Sequence, residues 1–407
     1  MANLPPPRSE GVATGDQSLL KRINSAALLR LVRTGSGLSR ADLAKRSGLT
    51  KSTVSLLVQE LIDDGWIREA EVPVSGAVGR RPTPLAMDNS RLALLGAEIG
   101  VDYLNVVACD LQGRVLGEQF QPHAPGELPA TLATLVAMLG QQDAALARQG
   151  RRLLGVGVGI PGTVHGAGRR IGVVPNLGWA GQEIAAPLAA LLVKGGVRVA
   201  PLKVLNEANA AALSEYVFGD MEGSGEGVHP DSLIYLSLGI GVGGGIVLGD
   251  RLHLGHDGSA GEVGHTILQL DGPPCRCGSR GCAEAFVSQR AVSLDLTGAT
   301  APILPIAELV AKVSAGEPAA VAATERAGRY LGMLMQNICN TLDPAVIVLG
   351  GPMGQLGAPY LATARASFQA LQGRYAFHST EVRLCRFGLN ACAVGAAGAV
   401  LHDALLA

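Results

Sequence analysis

SLIYLSLGIGVGGGIVLG, residues 232–249, is the stretch on which the fold turns. Its 18 uncharged residues reach the length of a transmembrane candidate. Six of them are Gly, however, and a helix with GVGGG at its centre would be poor. The segment therefore reads as a buried strand, Ser232–Leu238, a turn through Gly239–Gly245, and a second strand. The pattern has an earlier counterpart. Leu92–Cys109 runs apolar, turns at Asp110-Leu111-Gln112-Gly113 and resumes at Arg114–Phe120, which predicts a β-hairpin. An amphipathic helix (129–148), a strand (153–160) ending in Pro161-Gly162 and a strand (202–205) entering a helix at Asn206 follow it. After the second hairpin come a long helix (about 317–342), a strand (345–349), Gly350-Gly351, another helix, a strand near 382–386 and a terminal helix. A hairpin followed by alternating helix and strand, twice, predicts an α/β body of two similar lobes with a cleft between them.

Charge separates this body from what precedes it. The first 95 residues hold 13 Lys and Arg against 9 Asp and Glu; the remainder holds 20 against 25. The net charge of −1 excludes a polyanion binder over the whole surface but leaves room for a basic head. At ~150 residues per domain, 407 residues suggest two or three domains. With 48% apolar and 16% charged residues the chain is globular. The N-terminus, MANLPPPRSEG, has no apolar signal region, so the expected location is the cytoplasm, without membrane attachment.

Residues 1–16 are Pro-, Gly- and Ser-rich and read as a disordered tail. Helical spacing over Gln17–Thr34 stops at Gly35 and Gly37. Ser39-Arg40-Ala41-Asp42 fits a capping box that opens a short helix to Ser47. After the turn at Gly48, Thr50 can cap a third helix with Val54, Leu57, Val58 and Leu61 on one face. Helix, Gly-containing turn, helix is the helix-turn-helix arrangement. Gly65-Trp66-Ile67-Arg68 looks like the start of a wing, and Gly79-Arg80-Arg81-Pro82 is a compact basic loop suited to a minor groove. This predicts a winged helix over 17–90 that binds double-stranded operator DNA through Arg40, Lys51, Ser52, Thr53, Ser55, Gln59, Arg80 and Arg81. A plain αα-hairpin is the alternative.

Among seven cysteines, three cluster. His265, Cys275, Cys277 and Cys282 offer one imidazole and three thiolates, a set suited to tetrahedral structural Zn²⁺. Gly272, Gly278 and Gly281 let the loop curl around the ion. Cys109, Cys339, Cys385 and Cys392 lie in apolar runs and read as core residues.

GVGVGIPGTV (155–164), LSLGIGVGGGIVLGDRLHLGHDGSAGEVGH (236–265) and CRCGSRGCAE (275–284) together resemble the ROK family, over about residues 20–407. The family groups bacterial sugar-responsive repressors with sugar kinases of the actin-like ATPase superfamily, and the winged helix followed by GRRP resembles its repressors. The resemblance implies a first lobe of 91–206 with 391–407, and a second of 207–390 with the zinc motif and an oligomerisation surface. It carries sugar contacts onto Asn206, Glu207, Glu262, His265 and Glu284, with Gly162 letting backbone approach the ring. One His265 nitrogen would bind zinc and the other would face the sugar. Family kinases have an Asp after the Asn of N-D-A-N and an Asp-x-Gly-Gly-Thr phosphate loop. Here Glu207 follows Asn206, and the loop is Glu98-Ile99-Gly100-Val101-Asp102. Val101 adds bulk, and Asp102 repels a triphosphate. The expectation is a repressor, not an enzyme, released from its operator by a small sugar such as xylose or glucose and acting as a homodimer or homotetramer. A sugar kinase carrying a DNA-binding head is the alternative.

Overall fold

The computed structural model describes residues 17–35, 37–70, 83–166, 168–174, 176–198, 201–219, 230–298, 300–372 and 379–406. The expected tail 1–16 and the Gly79–Pro82 loop, with Arg80 and Arg81, lie outside the described residues. The chain divides into two units: residues 1–88 with 403–407, and 89–402. The final five residues thus group with the head.

In the head, α1 (Gln17–Thr34), α2 (Arg40–Ser47) and α3 (Lys51–Asp63) precede β1 (Ile67–Glu69) and β2 (Leu85–Met87). The capping signals act as expected. Ser39 N–H donates to Asp42 Oδ2 at 2.9 Å, and Asp42 N–H donates to Ser39 Oγ at 3.3 Å. Thr50 Oγ1 accepts from Thr53 N–H at 3.2 Å. Leu28, Leu43, Val54, Val58, Ile67 and Leu85 are buried and form the head's core. The two strands pair antiparallel, with Ile67 opposite Met87.

The body begins with β3 (Leu92–Ile99), β4 (Tyr103–Cys109), β5 (Val115–Pro122), α4 (Leu128–Arg148) and β6 (Arg152–Ile160). The expected single run Leu92–Cys109 is in fact two strands that turn at Gly100-Val101-Asp102. β3 is buried at every position and β4 at all but its first, so no alternation marked the break. Two small antiparallel pairs follow, β7 (Val164–His165) with β8 (Arg170–Ile171) and β9 (Val173–Val174) with β10 (Trp179–Ala180). Then come α5 (Ala185–Lys194), β11 (Leu202–Asn206) and α6 (Glu207–Phe218). The second lobe runs β12 (Ser232–Leu238), β13 (Val242–Leu248), β14 (Arg251–Leu252), α7 (Glu284–Val287), α8 (Gln289–Thr297), α9 (Ile306–Ser314), α10 (Pro318–Leu342), β15 (Val346–Gly350), α11 (Ala358–Leu371), β16 (Glu381–Leu384) and α12 (Ala391–Leu406). The candidate membrane segment is thus the β12–β13 hairpin. α12 with its preceding turn is long and apolar enough to cross a membrane, but most of it is buried in the protein. Cys109, Cys339 and Cys392 are buried, whereas Cys385 is half-buried.

The two five-stranded sheets have one topology. Their orders are β11-β6-β3-β4-β5 and β16-β15-β12-β13-β14. In each, an antiparallel meander is extended by two parallel strands. Each sheet ends by sending a helix to the other. α6 leaves the first sheet and packs on the second, where a side chain at Gly245 would meet Ala208 O at 2.2 Å. α12 leaves the second and packs on the first, where one at Gly157 would meet Ala396 O at 1.8 Å. The two helices meet at Gly395, whose missing side chain admits Ala210 O. Backbone therefore touches backbone through the middle of the body, as only Gly allows.

Candidate functional site

The expected metal ligands come together. One ligand atom from each of His265, Cys275, Cys277 and Cys282 lies within 4.8 Å of all the others. His265 closes a short 3₁₀ turn after Glu262, and Cys282 sits two residues before α7. Between them the loop is pinned by single bridges at Ile267–Cys282 and Pro274–Arg280. The Cys277–Cys282 Sγ separation is 3.7 Å, and so is that from Cys275 Sγ to His265 Nδ1. A tetrahedron with bonds of about 2.3 Å to sulfur has edges of about 3.8 Å, whereas a disulfide is about 2.05 Å. Donor set and spacing fit a tetrahedral ion. Burial pushes the Cys275 thiol up to about 12, while the Ser279 backbone N–H brings Cys277 down to about 7. A cation is what would hold all three as thiolates.

Gly281 makes this loop possible. Its φ is +70°, and a Cβ there would lie 1.6 Å from Gln269 O. Gly281→Ala is expected to leave the purified protein well short of one metal equivalent by elemental analysis, while its far-ultraviolet circular dichroism stays close to native. A full equivalent in the variant would show that the loop tolerates the side chain.

Of the sugar-predicted residues, Glu262 and Glu284 flank the cluster. His265 presents Nδ1 to Cys275 and Nε2 to Glu262 Oε2, 3.8 Å away. Glu284 is half-buried. Its Oε2 accepts from Val242 N–H at 3.1 Å, and its Oε1 lies 3.7 Å from Cys275 Sγ. Glu207 opens α6, and burial raises its pKa above the ordinary carboxyl value, with the Glu262 charge adding to the rise. Asn206 caps that helix. Its Oδ1 accepts from Ala208 and Asn209 N–H at 2.8 and 3.1 Å, and its Nδ2 donates to Gly162 O at 2.8 Å. The Asn206 oxygen is therefore fully occupied. Gly162, with φ +75°, has its own reason to lack a side chain: a Cβ would meet Val173 O at 2.1 Å.

Two contacts join the lobes beside this site, and the sequence did not point to either. Arg276, inside the metal loop, donates to Asn176 Oδ1 at 3.0 Å, and His165 Nδ1 meets Asp257 O. Their residue types and spacing match no motif.

An aromatic ring packs against the β3–β4 turn. A side chain at Gly100 would lie 2.4 Å from the Tyr103 ring, which stacks on Phe120 and donates from its hydroxyl to Glu98 Oε1 at 2.6 Å. Tyr103 was not anticipated, because a Tyr inside an apolar run reads as core. Gly350 persists for packing, since Tyr235 Oη occupies the space of a side chain there.

On the head, Lys51, Ser52, Ser55 and Gln59 are exposed on α3, and Thr53 is half-buried beside its cap. Thr50 Oγ1 bonds Ser52 and Thr53 hydroxyls at 2.9 Å each, and Gln59 donates to Asp63 Oδ1 at 2.9 Å. Arg40 is paired with Glu69 of β1. Leu56, 61% exposed, lies in the stripe Ser52, Ser55, Leu56, Gln59. Its solvent-facing position on a helix whose other leucines and valines are mostly buried was the signal available in the sequence.

A winged head and a body of two duplicated sheets with exchanged helices define a class: a sugar-kinase-like scaffold joined to a DNA-binding module. The sequence profile of the ROK family matches residues 94–403, and that of the MarR family matches residues 20–76. The chain belongs to the ROK family. It is 28% identical over 390 residues to the xylose repressor of Bacillus subtilis (strain 168), covering 96% of this chain and 98% of that protein. A solved ROK family transcriptional regulator, a homolog of the E. coli MLC protein, aligns with a TM-score of 0.77 and 26% identity over 95% of this chain and 98% of its own. A ROK family glucokinase from Streptomyces griseus, solved with glucose and AMPPNP, aligns with a TM-score of 0.60 and 29% identity over 75% of this chain and 98% of its own.

Proposed function

We propose that this protein is a sugar-responsive DNA-binding transcriptional regulator, a repressor of a carbohydrate-uptake or catabolic operon that leaves its operator when a sugar such as xylose or glucose binds. The observation that carries this reading is the extent of the likeness. The repressor and the regulator match this chain from end to end, head included, whereas the glucokinase matches 75% of it.

In this reading Glu207 and Glu262 accept from sugar hydroxyls, His265 Nε2–H donates to a sugar oxygen, Glu284 adds a further acceptor, and Asn206 contributes through its remaining amide N–H while setting the backbone at Gly162. Zn²⁺ on His265, Cys275, Cys277 and Cys282 is structural: it orients the imidazole and holds the loop that leads to Glu284. The kinase alternative is disfavoured by Val101 and Asp102 in the phosphate loop, by Glu207 in the catalytic-base position and by the Tyr103 ring over Gly100. Arg40, Lys51, Ser52, Thr53, Ser55 and Gln59 meet operator DNA with Arg80 and Arg81, and Leu56 is placed to meet a thymine methyl. A palindromic operator calls for a homodimer or homotetramer, working in the cytoplasm.

The test is a thermal-shift panel of monosaccharides and disaccharides on zinc-replete protein, followed by a gel-shift titration with the sugar that stabilises. A ligand at 100 times its Kd adds about 2.7 kcal/mol to its domain. The expected result is one selective rise in melting temperature and a matching loss of operator affinity. Operator affinity unchanged by a saturating, stabilising sugar would refute the repressor reading, and sugar-dependent ADP release from ATP would restore the kinase.

A further inference from the structure

The first sheet contains a buried acid that the proposed function leaves unused. Glu98, on β3, is 6% exposed. Its Oε1 accepts the Tyr103 hydroxyl at 2.6 Å, while its Oε2 is buried and meets no donor among the described residues. Directly opposite on β4 stands Asn105, 2% exposed. Asn105 Nδ2 donates to Asn390 Oδ1 at 2.7 Å, immediately before α12, and its own Oδ1 is a second buried acceptor without a donor. Directly opposed residues on antiparallel strands have Cβ atoms about 4.5–5.5 Å apart, within reach of one side-chain hydrogen bond. Both orphaned atoms are acceptors, so one proton between them satisfies both. Next in the row is Gly159, whose missing side chain admits Cys392 Sγ. The groups facing Glu98 are Tyr103 from β4, Glu207 from α6 and Cys392 from α12, and among the described residues no Lys, Arg or His forms an ion pair with it.

We propose that Glu98 is a positioning residue held as a neutral carboxylic acid, whose Oε2–H donates to Asn105 Oδ1. The hydrogen bonds then run without a gap from Tyr103 through Glu98 and Asn105 to Asn390. They fasten the β3–β4 turn, with the Tyr103 ring upon it, to the start of α12. They also spare Glu207 the repulsion that a second carboxylate beside it would exert. That last consequence alone bears on the sugar-site reading. Burial pushes the Glu98 carboxyl up to about 8, with the Tyr103 hydrogen bond opposing the rise and the Glu207 charge adding to it. The sign of the linkage follows. The folded chain keeps a proton that the unfolded chain releases near 4.5, so stability falls as pH rises between about 5 and 8 and is level above that.

The experiment uses the full-length, zinc-replete protein and Glu98→Gln, whose amide supplies Asn105 with a permanent N–H. The infrared difference between wild type and variant should contain a protonated-carboxyl carbonyl band that weakens about tenfold between pH 7 and pH 9. A difference containing carboxylate bands only at pH 7 overturns the proposal. Melting temperature is the second readout: wild type should fall from pH 5.5 to pH 8, and Glu98→Gln should fall less steeply. Parallel pH profiles overturn it. Both readouts are taken without sugar, so failure of the sugar reading and failure of this inference are told apart.

Discussion

Removing the metal should abolish the sugar response and spare DNA binding. Between His265 and Cys282 the loop is mostly exposed and is held by short backbone hydrogen bonds such as Leu268 N–H to Gly281 O, Cys275 N–H to Ser279 O and Gly281 N–H to Pro273 O. Structural zinc contributes roughly 10–16 kcal/mol of apparent binding free energy in small zinc-dependent folds, more than a handful of exposed backbone hydrogen bonds at about 1 kcal/mol each. Without the ion, the imidazole of His265 loses its orientation and the segment leading to Glu284 loses its anchor. Sugar affinity should then fall at least about a hundredfold, since two charge-assisted hydrogen bonds of about 1.5–3 kcal/mol are involved. The head has its own core and none of the four ligands, so operator affinity in the absence of sugar should stay within about twofold. The measurement is calorimetric sugar titration and gel shift on chelator-treated protein, on the same sample after zinc is restored, and on Cys282→Ser. Undiminished sugar binding by metal-free protein would detach the cluster from the sugar site.

Glu207→Gln should produce a repressor that lets go only at far higher sugar concentration. The substitution preserves volume and the α6 first turn while removing a charge from a half-buried position. Hydrogen bonds to a charged group are worth about 1.5–3 kcal/mol, so sugar affinity should drop roughly 10- to 100-fold. Glu207 is a sharper target than Asn206, whose oxygen already caps the helix; changing Asn206 would disturb α6 and the bond to Gly162 O together. Operator binding without sugar should match wild type, and release should require proportionally more sugar. Wild-type release by Glu207→Gln would remove this carboxylate from the sensing site.

What the sequence disclosed was what is local. Ser39 with Asp42, and Thr50 before its helix, are short-range hydrogen-bonding devices, and they set the head's helices as read. The cysteine spacing likewise carries its geometry within 18 residues. The two-lobed body was legible because the hairpin pattern occurs twice. What escaped depends on partners far along the chain. The β3–β4 turn was hidden in a run buried on both faces. Tyr103 closing over Gly100, Arg276 reaching Asn176 and the exchange of α6 and α12 between sheets leave no periodic trace, because each is defined by what it meets in space. Asn206, expected as a sugar contact, also caps α6 in the structure.

The grouping of residues 403–407 with the head bears on how such a chain can be taken apart. A splice at residue 88 would seem to free a portable DNA-reading module for grafting onto another sugar-kinase body. The head's unit, however, draws on both ends of the polypeptide, and its last piece is the final turn of a helix whose earlier turns lie on the first sheet. A chimera that exchanges only the N-terminal segment would inherit a mismatched closing turn. A workable graft must carry that turn along with the head.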